Sequence, residues 1–171
     1  MLRLSAAFGW LFAAMAGLAA VLLLAMVVLV SGDIVLRNVA RSGFIWANEV
    51  SEIGLYLMTL LVAPWLLRRG QHVRLDLVLT MVPARVGWLM EAAGDLLGLA
   101  VSIVLLRYGV AMAHDSWRLG SITIKNLVFP EWWLMAPMPV AFMLLAIEFV
   151  FRLHRLAGAE RKPRLEATSV A

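Results

Sequence analysis

From Leu4 to Gly32 the chain carries 29 consecutive residues without a charged side chain. About 20 apolar residues cross a bilayer as a helix, so this segment alone places the chain in a membrane. Three further apolar segments follow, centred near Leu60, Val101 and Met143. Together they predict an all-α integral membrane protein with four transmembrane helices, at about 9–30, 46–67, 88–112 and 132–151, in one domain over 1–155.

Composition agrees with that class: 63% of residues are hydrophobic, 15% are charged, and 171 residues leave little room for a separate soluble domain. The net charge of +4 does not point to nucleic acid, because the basic residues sit at helix ends and in loops, where they orient membrane proteins. With no cysteine, disulfides, thiolate nucleophiles, CxxCH haem attachment and cysteine-ligated zinc or iron–sulfur sites are excluded. The first apolar run is about twice the length of a signal-peptide core, and three more spans follow it, so it is read as a spanning helix.

Gly9, Ala13 and Gly17 fall at four-residue intervals along the first span and predict a face for close helix approach. The second span has 15 uncharged residues, Ile53 to Leu67, so its helix must begin near Trp46 and carry Glu49 and Glu52 into the interface. Tyr56 and Ala63 share their face at helical spacing. In the third span Asp95 and Arg107 lie 12 residues apart, about 18 Å along a helix, so both can snorkel toward opposite boundaries. Gly94, Gly98 and Ser102 repeat beside Asp95 and mark a packing face. The last span carries Glu148, and Pro137 and Pro139 near its start either kink it or end a short preceding turn.

Basic residues divide ten to four between the two sides when the spans alternate. Arg3, the second loop and the tail form the richer side, and Arg37, Arg41, Arg118 and Lys125 the poorer, which predicts cytoplasmic termini. The tryptophans form two belts, Trp10, Trp65 and Trp88 inside and Trp46, Trp117, Trp132 and Trp133 outside. Between spans two and three, Gln71 to Val82 reads QHVRLDLVLTMV. A lone strand against lipid would leave backbone groups unpaired, so a short interfacial amphipathic helix is expected there. Residues 156–171 read as a flexible basic tail.

No catalytic constellation emerges. Topology separates His72 and His154 from His114, so the three histidines cannot share a metal, and they lie too near helix ends for a haem held between facing helices. GxSxG, HExxH and Walker sequences are absent. Glu49 and Glu52 at an outer helix start fit solvated, dipole-stabilised or partner-paired carboxylates better than a proton or cation site. Arg107, toward the same outer ends, is expected to pair with Glu52 or Glu49.

A family resemblance rests on four elements in order. They are Asp33 with Arg37, then Trp46 with Glu49 and Glu52, then RRGQHVRLDLVL from Arg68 to Leu79, and last SITIKNLVFPEWW from Ser121 to Trp133. The third contains Arg69, Gly70, His72 and Asp76, and the fourth Pro130 and Trp132. In order and spacing the chain resembles the small permease subunit, DctQ type, of tripartite ATP-independent periplasmic (TRAP) transporters. The third-span polarity and the tail add nothing to that likeness.

The resemblance implies a multi-pass protein of the bacterial inner membrane. Its partners would be a large permease subunit of DctM type and a periplasmic substrate-binding protein of DctP type, importing organic acids on a sodium gradient. It implies no cofactor on this chain, Na+ in the large subunit, and a scaffold or stator role here. The interface candidates are then Trp46, Glu49, Glu52, Gly94, Asp95, Gly98 and Arg107. Two rivals stand beside it. A self-sufficient small transporter or channel would use Asp95 as its intramembrane charge, and the anchor of a redox complex would carry a coloured cofactor. The substrate is not legible, because specificity would reside in other chains.

Overall fold

The computed structural model describes residues 2–69 and 83–158. Helices α1 (Leu2–Val39), α2 (Ala47–Arg68) and α3 (Ala84–Leu119) are followed by strands β1 (Ile122–Ile124) and β2 (Val128–Pro130). A single turn, α4 (Trp132–Met135), then leads into α5 (Pro137–Ala157). Among the described residues four stretches are long and apolar enough to cross a membrane: Ala7–Val39, Ala47–Arg68, Val86–Leu119 and Trp132–Ala157. The chain is thus an all-α integral membrane protein, and among the described residues a small antiparallel hairpin pairs Ile124 with Val128. The expected interfacial helix at 71–82 and the tail beyond Gly158 lie outside the described residues.

Two helices are longer than their expected spans. α1 has 38 residues and α3 has 36, or about 57 and 54 Å, against a hydrocarbon core of about 30 Å. The added turns carry polar residues such as Arg37 and Arg118, so helical geometry continues past the apolar limit that the sequence marks. α3 stops at Gly120, whose φ of 62° is left-handed; Ser121 N–H then donates to the Ser116 carbonyl at 3.1 Å, which closes the helix end. Of the two outcomes open for Pro137 and Pro139, the structure takes the short turn: Ala136 separates Trp132–Met135 from α5, and Pro137 occupies the first position of α5.

α1 packs on α2, α2 on α5, and α5 on α3, a row in which α2 and α5 are central. On α1 the less exposed positions Phe8, Phe12, Met15, Ala19, Leu22, Met26, Leu29 and Asp33 recur at alternating steps of four and three. That is the 3.5-residue seam of a left-handed helix pair. The expected stripe of Gly9, Ala13 and Gly17 is not that seam: Ala13 and Gly17 are exposed, and a Cβ on Gly17 would meet nothing within 4 Å. Large side chains fill the interface, and the close approach is made from the other helix, where a Cβ on Gly54 would lie 2.7 Å from Met26. Gly98 does the same for α3 and α5, where a Cβ would run into the Phe149 ring.

Candidate functional site

Polar side chains gather at the two ends of the row of helices. At the end where α2 and α5 finish, Glu148 is fully buried and accepts from Arg155 Nη2 at 2.7 Å and from Arg68 Nη1 on α2 at 3.3 Å. One turn along α5, Arg152 donates through Nε to Asp95 Oδ1 on α3 at 2.9 Å, and through Nη1 to the Leu67 carbonyl on α2 at 2.9 Å. Its Nη2 lies 4.0 Å from Glu91 Oε1. Trp88 Nε1 donates to the Leu156 carbonyl at 3.3 Å. Placed four residues apart, Glu148 and Arg152 let α5 hold α2 and α3 at once. Buried charges demand such pairing, because an isolated one loses its hydration with nothing in return.

This arrangement corrects the expectation that Asp95 snorkels outward. Asp95 is 4% exposed and turned into the α3–α5 interface, because Arg152, which the sequence offered only as one basic residue among ten, meets it there. Oδ2 of Asp95 is buried with no hydrogen-bond partner among the described residues. Gly98 and Ser102 lie on the packed face, where Ser102 Oγ donates to the Gly98 carbonyl at 2.7 Å, whereas Gly94 is open.

At the opposite end the hairpin is tied to the start of α2. Glu49 accepts three hydrogen bonds, from Asn126 N–H at 2.8 Å, Asn126 Nδ2 at 2.9 Å and Leu127 N–H at 2.8 Å. Glu52 pairs with Lys125 at 3.1 Å, not with Arg107, which lies exposed on α3. The pairing expected for Arg107 fails because the hairpin, coming between α3 and α5 in the chain, brings its own cation to the carboxylates. Beneath the hairpin an apolar groove of about 310 Å³ is lined by Tyr56, Phe129, Met135 and Met138.

Asp33 joins the same end. Oδ2 accepts from Arg37 Nε at 2.7 Å and Oδ1 from Phe44 N–H at 2.6 Å, which folds the α1–α2 loop back onto its helix. Glycine is required at Gly43, where a Cβ would lie 2.8 Å from Asp33 Oδ1. Trp46 precedes α2 and stacks against Phe44, ring centroids 5.1 Å apart. Pro130 closes β2 opposite Ile122, and Trp132 meets Trp133 edge to face. The Arg69 guanidinium lies 4.4 Å from the Trp65 ring centroid. Gly70, His72 and Asp76 fall outside the described residues.

Sequence reasoning missed Arg68, Glu148 and Arg152 as interhelical contacts. The available signal was Glu148 with Arg152 and Arg155 in a helix whose other residues, His154 apart, are apolar, since charges within a span require partners. No group of three His, Asp or Glu side chains that could hold a metal occurs among the described residues. Chemically, both polar ends are locks between elements.

The sequence profile of the DctQ component of tripartite ATP-independent periplasmic transporters matches residues 26–158. No curated protein matches the chain. The match covers both polar ends and three of the four long helices in full, and the chain belongs to this family. It is therefore a multi-pass membrane component of a transporter, from a family that is not one of enzymes.

Proposed function

We propose that, as the DctQ component, this chain is the stator of a binding-protein-dependent importer of organic acids driven by a sodium gradient. It holds a large permease subunit of DctM type in the bilayer, while a periplasmic protein of DctP type delivers substrate. The observation that carries this reading is the fate of its buried acids. Asp95 and Glu148 each hold an arginine from a neighbouring helix, so their charge stiffens the row of helices. A substrate or ion site in a secondary transporter instead uses interrupted helices whose freed ends face the ligand near mid-membrane. Here the α4–α5 break lies at the hairpin end. The sodium ions belong to the large subunit on this reading, and this chain binds no cofactor.

On this reading the protein sits in the inner membrane with the Arg68 and Arg155 end, and both termini, in the cytoplasm, a reading supported by the excess of basic residues on that side. The chain is free of cysteine, so Arg118→Cys and Arg155→Cys report orientation directly: the first is labelled from the periplasm and the second is not. Function is tested in vesicles reconstituted with this chain, the large subunit and the binding protein, across a panel of carboxylates. Uptake requires all three and an inward sodium gradient. Uptake by this chain alone overturns the stator reading.

A further inference from the structure

Asp95 is only half satisfied. Oδ1 is held by Arg152, while Oδ2 is buried without a hydrogen-bond partner among the described residues, and the side chain as a whole is 5% exposed. An acceptor removed from water and left without a donor is unfavourable, so the site is incomplete in the isolated chain. The carboxylate lines a groove of about 470 Å³ whose walls include Gly94, Leu97, Val101 and Phe149. Gly98 is already filled against by the Phe149 ring, but a Cβ on Gly94 would meet nothing within 4 Å.

The groove continues along α3 as a second seam. Gly94, Leu97, Val101, Val104 and Tyr108 follow one another at steps of three and four, and all five are exposed, Leu97 by 68% and Tyr108 by 64%. A 3.5-residue repeat with a glycine at one end is what a neighbouring helix packs against. Acyl chains would cover the apolar positions but bring no donor to Oδ2. A second copy of this chain related by a two-fold axis along this seam would set Asp95 opposite Asp95, carboxylate against carboxylate.

We propose that this groove seats a transmembrane helix of the large permease subunit, carrying a Ser, Thr, Asn, Gln or Trp side chain that donates to Asp95 as its carboxylate turns Oδ2 toward the groove. The assignment rests on reading the chain as the small subunit of the transporter.

A photoreactive benzoylphenylalanine at Leu97, with Leu96 as control, tests it in membranes containing all three components. Leu96 is 61% exposed but a third of a helical turn away. Leu97 should yield a product with the combined mass of this chain and the large subunit, and Leu96 should not. Products with lipid only, or with a second copy, at Leu97 overturn the proposal. Independently, Gly94→Leu should cut recovery of the complex in gentle detergent roughly tenfold, and Gly94→Ala much less, since bulk at a small-residue contact separates the helices. The isolated variant should melt with the unaltered chain, because the position is open. Wild-type recovery with Gly94→Leu overturns the proposal. Failure of the unaltered chain to co-purify with any large subunit removes the stator reading as well, whereas a stable complex with lipid-only products at Leu97 removes this inference alone.

Discussion

The two polar ends use the same residue types to different effect. At the Arg152 end the pairs between helices centre on buried groups, Glu148 at 0% exposure and Arg152 at 7%, while Arg68 and Arg155 are partly exposed. At the hairpin end the Lys125–Glu52 pair that ties the hairpin to α2 is in the open, with side-chain exposures of 52% and 69%, and Glu49 accepts from backbone N–H groups of the hairpin. The first end therefore fixes how three helices sit, and the second fixes where a short hairpin lies on one of them. Charge number says little about energetic weight; the surrounding dielectric and the element each partner belongs to decide it.

The largest effect is expected from breaking the buried lock on one side. Arg152→Leu leaves Asp95 charged and buried and also removes the Arg152 hydrogen bond to the Leu67 carbonyl, so a loss of about 3–5 kcal/mol in stability is expected. Thermal unfolding of the purified chain in detergent would show it as a much lower midpoint. Asp95→Leu combined with Arg152→Leu should recover most of the loss, because no charge is then left uncompensated in the interface. Equal losses in the single and double variants would mean that the pair is not the source, and the contrast between the ends would fail.

Next in size is Glu49→Ala. It removes three hydrogen-bond acceptor contacts to the hairpin tip but touches no interhelical packing. Amide exchange across residues 122–130 should accelerate roughly tenfold while the melting midpoint hardly moves, because the hairpin opens as its own unit. A global shift equal to that of Arg152→Leu would make the hairpin end as structural as the other.

This difference between the ends also explains what the sequence disclosed. The four spans, Glu49 and Glu52 at a helix start, and the packed side of Gly98 and Ser102 follow from hydropathy and helical spacing, which are local. The Asp95–Arg152 and Arg68–Glu148 pairs join residues 57 and 80 positions apart, and their meeting depends on how each helix is rotated against its neighbours, which spacing within one helix does not report. On α1 nearly every residue is apolar, so the true seam through Phe12, Ala19 and Met26 is hidden among equally apolar neighbours, and Gly9, Ala13 and Gly17 stood out only by size. The hairpin was legible in principle: Ile-Thr-Ile and Val-Phe-Pro flank Lys125, Asn126 and Leu127, a β-type pattern around a three-residue turn. Strands of three residues are too short for alternation to mark them.

Glu52→Gln should have a smaller effect than either change above. Exposed ion pairs of this kind are worth about 1 kcal/mol or less, so the melting midpoint should fall slightly and the dependence on added salt should shrink. In reconstituted vesicles the apparent sodium affinity should stay that of the unaltered complex. A large shift in sodium dependence with intact assembly would assign this carboxylate to ion coupling and make the hairpin end, not the large subunit, a site of function.

The smallest effect on the isolated chain is expected at Arg107, and it sharpens the comparison most. Arg107 is exposed, and it belongs to neither polar end. An arginine within a spanning helix reaches the interface with its long side chain when lipid surrounds it, so Arg107→Ala should change the stability of the purified chain by about 0.5 kcal/mol or less. Its Cα direction on α3 is well away from that of Leu97, a separation of ten residues that amounts to about 80° of helical rotation from the seam. Loss of Arg107 should therefore leave recovery of the large subunit unchanged while Gly94→Leu lowers it. If Arg107→Ala also reduces recovery, with the melting midpoint of the isolated chain unaffected, then a second face of α3 meets a partner, and the charge balance of this helix is completed from outside the chain at both Asp95 and Arg107.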